Sequence, residues 1–251
     1  MNILQPLFIQ NKPFTVDEAA LLLNLPKNKI SIRLARYEKQ GHLKRIKRGL
    51  YMPVYERFLS PDESLSDPWK IVPSLFPNGY IGGYSAANFW QLTEQIFETT
   101  VVLTPNPVAH NKYNRLGFNY NIFTAHGDFG IDVTWRDNTS VSISDPHRTI
   151  LDMIDNPMCG GGIQHTLDCI KTYINEQMDE TLLIEYTQKY RRGSFFKRLG
   201  FIVEKKLGAT HALCLLAKKN LTKGYAKIDP TLPCTTLITR WNLFMSNELT
   251  L

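Results

Sequence analysis

The chain has 251 residues, enough for two modest domains, and a hydrophobic fraction of 43% that allows a packed core. No apolar run reaches the ~18 residues of a membrane span, and no charged, apolar and cleavage regions open the sequence, so a cytoplasmic protein is expected. The net charge of +6 is uneven: residues 1–53 hold ten Lys and Arg against three Asp and Glu, which leaves the remainder at −1 and points to a polyanion-binding head on a neutral body.

Within residues 1–11, Leu4, Leu7, Phe8 and Ile9 fit a short first helix, which Pro13 stops. Thr15-Val16-Asp17-Glu18 has the capping-box spacing, with Thr at the N-cap and Glu at N3, and Phe14 is placed to staple onto Ala19. Ala19, Ala20, Leu22 and Leu23 make a short helix ending near Asn24, and a tight turn follows.

The stretch from Leu25 to Pro53 organises the rest. Pro26 suits a first helical turn, and Asn28 is the expected N-cap acceptor. Ile30, Leu34 and Tyr37 recur on one helical face, while Lys29, Arg33, Arg36 and Gln40 form a second, basic stripe; Gly41 follows where the helix should end. Two short strands, Leu43–Ile46 and Leu50–Pro53, are joined at Lys47-Arg48-Gly49, a basic hairpin tip. A basic helix alone is often a solvated face. Helix, turn, basic helix and basic hairpin in this order spell a winged helix-turn-helix, with one helix in the major groove of DNA. The expected DNA-binding residues are Lys27, Asn28, Lys29, Ser31, Arg33 and Arg36 on the helix, with Lys44, Arg45, Lys47 and Arg48 on the wing. Lys29, Ser31, Arg33 and Arg36 are expected to face the groove, and Lys47 and Arg48 to hold the wing on the backbone or minor groove.

Tyr55 to Pro68 is turn-rich and reads as a linker, giving a DNA-binding domain over 1–55, a linker over 56–68 and a second domain over 69–251. The second domain opens with a helix over Trp69–Phe76, weakened by Pro73, and continues with a helix capped by Ser85 and running through Leu92. Strands are predicted at Thr99–Thr104, Phe118–Thr124, Gly130–Trp135 and Ser140–Ser144. Asp145-Pro146 starts a helix through Ile154; a glycine-rich break and helices over Ile163–Glu176, Thr181–Tyr190 and Ser194–Leu207 follow. The tail, Tyr225 to Leu251, gives no assignment. The fold class is α+β: a winged helix-turn-helix plus a larger α/β domain with a mostly antiparallel or mixed sheet and a helical end.

Signals for chemistry are weak. Gly83-Tyr84-Ser85-Ala86-Ala87 lacks the second glycine of a nucleophile turn, and a helix cap needs only the serine. Asp145 has a structural task at a helix start, and His147 in the first turn is expected to face solvent. His110, His126, His147, His165 and His211 show no metal-ligand spacing, and Cys159, Cys169, Cys214 and Cys234 are too widely spaced for a zinc knuckle and read as buried thiols. Glu204-Lys205-Lys206 has an E-x-K spelling found in nucleases, but helical spacing makes it a solvated face, as with Arg191-Arg192 and Lys197-Arg198. No catalytic residue, metal or cofactor is expected. The alternative is a hydrolase or nuclease that uses the winged helix for targeting, and a third reading has the winged helix bind protein.

Taken in order, GHLKRIKRGLYMP (Gly41–Pro53), YIGGYSAANFWQLTEQ (Tyr80–Gln95), VSISDPHRTILDMID (Val141–Asp155) with GGGI (Gly160–Ile163), and KRLGFIVE (Lys197–Glu204) resemble the AbiEi antitoxins of AbiE-type, type IV toxin–antitoxin systems used in phage defence. The resemblance implies a winged-helix repressor of the antitoxin–toxin operon promoter, acting at inverted repeats in double-stranded DNA. It also implies a C-terminal domain that neutralises a nucleotidyltransferase-like toxin without a stable complex. It supplies no catalytic residue.

Overall fold

The computed structural model describes residues 5–10, 12–54, 67–106, 110–247 and 249, and the fold is α+β. In the N-terminal head, α1 (Gln5–Gln10) precedes β1 (Phe14–Thr15), α2 (Val16–Leu22), α3 (Lys27–Lys39), β2 (Leu43–Lys47) and β3 (Leu50–Pro53). The capping box forms: Glu18 N–H donates to Thr15 Oγ1 at 3.1 Å, and Thr15 N–H donates to Glu18 Oε2 at 2.6 Å. Leu7, Phe14, Ala19, Ile30, Leu34, Leu43 and Tyr51 make the core of the head.

The wing is a three-stranded sheet in the order β1-β3-β2. Every residue of β3 is buried, because both of its faces are covered. Tyr51 belongs to the head core, whereas Leu50 and Met52 join Ile46 in a second cluster with Ile71, Val72, Phe76 and Ile143 of the body. A bulge between Arg45 and Lys47 re-aims Ile46 toward that second cluster. Arg115 Nε donates to Ile46 O, Lys47 Nζ donates to Ser74 O at 2.8 Å, and Asn138 Nδ2 donates to Gln10 O at 3.3 Å. The wing is therefore wedged between the helix-turn-helix and the body. Of the expected linker over 56–68, residues 56–66 lie outside the described residues. Asp67 Oδ1 accepts from Trp69 N–H at 2.9 Å and starts a 3-10 turn, Pro68–Ile71, that runs into α4 (Val72–Leu75).

The body is built on six strands in the order β6-β7-β5-β4-β9-β8. They are β4 (Tyr80–Ile81), β5 (Thr99–Thr104), β6 (Lys112–Arg115), β7 (Phe118–Thr124), β8 (Ile131–Arg136) and β9 (Thr139–Ser144), with α5 (Gly83–Phe89) between β4 and β5. The sheet is mixed: β5–β7 and β4–β9 pair parallel, the other neighbours antiparallel. Alternation sends Val101 and Leu103 toward the helical layer and Val102, Ile122 and Ile143 toward the wing. The helical layer holds α6 (Pro146–Asp155), α7 (Ile163–Glu176), α8 (Glu180–Thr187), α9 (Gly193–Lys206) and α10 (Ala212–Lys219). A small sheet of β10 (Ala226–Lys227), β11 (Thr236–Ile238) and β12 (Leu243–Met245) closes the chain.

Several local expectations are corrected. Ser85 is not an N-cap: α5 starts after Gly82, and the Ser85 hydroxyl accepts from Val101 N–H at 2.9 Å. His147 is buried, its Nε2 accepting from Asp179 N–H at 3.0 Å. Lys197 and Arg198 are buried rather than solvated, because carbonyls wait for them: Gly224 O accepts from Lys197, and Lys227 O, Ile228 O and Asp155 O accept from Arg198. Glu204 is likewise taken up, by the Trp241 indole N–H and, at 2.6 Å, by Arg240.

Asp145 caps α6 as expected, accepting from Arg148 N–H at 2.7 Å. Behind that cap, Arg148 is fully buried and donates to Asp152 Oδ1 at 2.9 Å, Tyr80 OH at 2.9 Å and His126 O at 2.7 Å. Asp152 also accepts from the hydroxyls of Tyr80 at 2.7 Å and Tyr190 at 2.6 Å. Burial, and after it the Asp152 charge, raises both tyrosines well above their usual value, so they stay protonated donors. This network joins β4 to the helical layer.

Candidate nucleic-acid interface

Sequence dictates how α3 sits. Ile30 and Leu34 are buried against α2 and the wing, which fixes which side of the helix is free. At about 100° per residue, Ile32 lies diametrically opposite the Ile30–Leu34 midline. It is 73% exposed. Lys29 and Arg36 flank it on one side, Asn28 and Lys39 on the other, and all four are exposed. Half-buried Arg33 and exposed Ser31 mark opposite edges of this face. Among the described residues, the side chains of Lys29, Arg33 and Arg36 make no ion pair.

The ends of α3 are built differently from each other. The N-cap position is Pro26, which offers no side-chain acceptor, so the expectation of Asn28 as cap is corrected. Asn28 lies inside the first turn, where its Oδ1 accepts from Lys29 N–H at 2.8 Å. The C-terminal end is the glycine stop that was expected. Gly41 takes φ +79°, its N–H reaches Glu38 O at 3.0 Å, and His42 N–H reaches Tyr37 O at 3.0 Å, the paired bonds of a Schellman turn.

The other expected residues divide by what already holds them. Lys27 points back to α2 and pairs with Asp17 at 2.8 Å, and the Ser31 hydroxyl donates to Lys27 O at 2.9 Å. On the wing, Gly49 at φ +78° turns the chain between β2 and β3. Arg45 and Arg48 are exposed, and Lys44 is half-buried. Lys47, expected on DNA, has its ammonium on the Ser74 carbonyl of the body. The arrangement brings Lys29, Arg33 and Arg36 together on one surface around Ile32. That is a cationic ridge with an apolar centre.

Reading the charges alone missed Ile32. Its signal was present in the spacing, as an apolar residue half a turn from the packed ones. In the body, a polar cavity of about 220 Å³ lies beside His126, Asp155 and Arg192. There Arg192 Nη1 donates to Asp155 Oδ2 at 2.9 Å and lies 3.3 Å from His126 Nε2. Among the described residues no group of His, Cys, Asp or Glu could hold a metal ion, and no helix is long and apolar enough to cross a membrane.

No curated protein matches the sequence. The crystal structure of the RV2827C protein from Mycobacterium tuberculosis shares the fold, with a TM-score of 0.56 over 98% of this chain and 90% of that one at 12% identity. At that identity the likeness is one of architecture. Residues 2–54 match the family model described as transcriptional regulator, AbiEi antitoxin. The matched residues are those of the head that carries the α3 ridge and the wing, so the head is similar to the regulator domain of the AbiEi antitoxins.

Proposed function

We propose that the protein is a repressor whose head, residues 1–55, places α3 in the major groove of its own promoter, while the rest of the chain counters a nucleotidyltransferase-like toxin encoded beside it. The observation that carries this reading is the ridge: Lys29, Arg33 and Arg36, without ion-pair partners among the described residues, around an exposed Ile32 on a helix whose opposite side is buried. A helix ~10–12 Å across suits a groove ~12 Å wide. Lys29, Arg33 and Arg36 supply phosphate and guanine contacts, and Ile32 meets a thymine methyl. Arg45 and Arg48 hold the wing to the backbone; Lys47 instead braces the wing on the body.

Gel-shift titration with DNA from upstream of the coding region tests this. Arg36→Ala should weaken binding by ~1–3 kcal/mol. Ile32→Ala should flatten the preference for the upstream site over unrelated duplex, leaving general affinity intact. Equal affinity of native protein and both variants for the upstream site sinks the groove assignment. Growth rescue on co-expression with the neighbouring toxin gene tests the antitoxin half.

A further inference from the structure

The body sheet ends on β8, and among the described residues no strand pairs with its outer edge. The β8–β9 hairpin closes on Arg136↔Thr139, and Gly130 O accepts from Asp145 N–H at 2.9 Å. Antiparallel ladders alternate, so the even positions 130 to 136 turn their backbone groups toward β9. The N–H and C=O groups of Ile131, Val133 and Trp135 therefore point away from the sheet. Native sheets blunt such an edge with proline, a bulge, a short strand, charged side chains or a covering element, and of these β8 has the charges Asp132 and Arg136. β8 has six residues, no proline and no register shift. On one face its exposed side chains are apolar, with Val133 62% exposed and Trp135 66%, and on the other face Asp132 is exposed.

We propose that β8 is a homodimer interface, in which two copies of the chain pair antiparallel about a two-fold axis at Thr134. Outward-facing residues must lie opposite each other, which leaves two centred registers, on Val133 or on Thr134. The Thr134 register sets Val133 against Trp135 of the second copy on one face, a β-branched–aromatic cross-strand pair. On the other face it sets Asp132 against Arg136 of the second copy. The Val133 register would set Asp132 against a threonine. Charge complementarity therefore selects Thr134. Arg136 is already held on that face, 3.2 Å from Asp67 and with its guanidinium 4.4 Å from the Trp69 ring centroid. Both copies use the same patch, as a two-fold interface requires, and the two six-stranded sheets become continuous. The inference stands on the sheet edge and does not depend on the DNA-binding reading.

Sedimentation velocity on the full chain is the test, with melting by circular dichroism as the fold control. The native protein should sediment at twice its 28.8 kDa chain mass. Val133→Pro removes an outward N–H without touching the β9 ladder and should give a monomer. Asp132→Arg should raise the dimer dissociation constant about tenfold, as two symmetric charge pairs turn repulsive. Thr134→Cys should cross-link to a covalent dimer on mild oxidation while Val133→Cys does not; this pair carries the test if Val133→Pro fails to fold. A monomer at every concentration, a dimer indifferent to both Asp132→Arg and Val133→Pro, or cross-linking through Val133→Cys alone overturns the proposal.

Discussion

Met52→Ala, a change in the head, should be felt by fluorophores that all lie in the body. The four tryptophans are Trp69, Trp90, Trp135 and Trp241, and residues 1–53 contain none. Met52 is 0% exposed, and its cluster includes Ile71, Val72 and Phe76 across the wing–body contact. Truncation removes three buried heavy atoms and leaves a cavity between two elements that cannot both close on it. A cost of ~2–4 kcal/mol follows. With a urea m-value on the order of 3 kcal/mol/M for a chain this size, the midpoint should fall by about 1 M. The assay is urea unfolding followed in parallel by tryptophan fluorescence and far-UV circular dichroism. Both midpoints should move together, because wing and body lose one shared core. An unmoved fluorescence midpoint, with an early separate step in the dichroism, would refute the shared core and make the head an independent unit.

Other expectations follow from buried chemistry. Arg148→Met strands the Asp152 carboxylate in a fully enclosed site and should cost ~3–5 kcal/mol in the same urea assay, with Asp152→Leu on top restoring part of it; a loss below ~1 kcal/mol would show that the Tyr80 and Tyr190 hydroxyls suffice. Thiol titration of native protein should modify Cys234 alone. Cys159, Cys169 and Cys214 are buried, and burial pushes the Cys169 thiol up to about 12, so fast modification of a second cysteine would contradict the packing of the helical layer.

Much of this architecture was legible where chemistry is local. Capping at Thr15 and Asp145 needs only residues three apart, and both caps stand as expected. The β-branched run Thr99–Thr104 and the alternating aromatic and polar residues of Phe118–Thr124 are enough to declare strands of those extents. Tyr80–Ile81 is too short to show a period, Lys112–Arg115 is a polar edge strand, and the brief apolar run of α10 suits either element, so all three escaped. Buried charge was illegible for a different reason. Nothing in Arg198 says that carbonyls from residues 155, 227 and 228 converge on it. The four consecutive apolar residues Leu50–Pro53 did carry a readable sign, since a strand without a polar face is covered on both sides. At the candidate interface, residue type announced a basic surface. It could not announce that Lys47 is spent on Ser74 and Lys27 on Asp17, because both partners depend on the tertiary fold.

The most direct measurement is the salt dependence of duplex DNA binding by fluorescence anisotropy, comparing native protein with an Arg33→Ala/Arg36→Ala variant. The log of the binding constant should fall linearly with log salt at a slope of about −0.9 per phosphate neutralised, and the variant should lose about one to two units of that slope. Binding that ignores salt, or a variant whose affinity and slope match the native protein, would mean that the α3 ridge does not grip DNA.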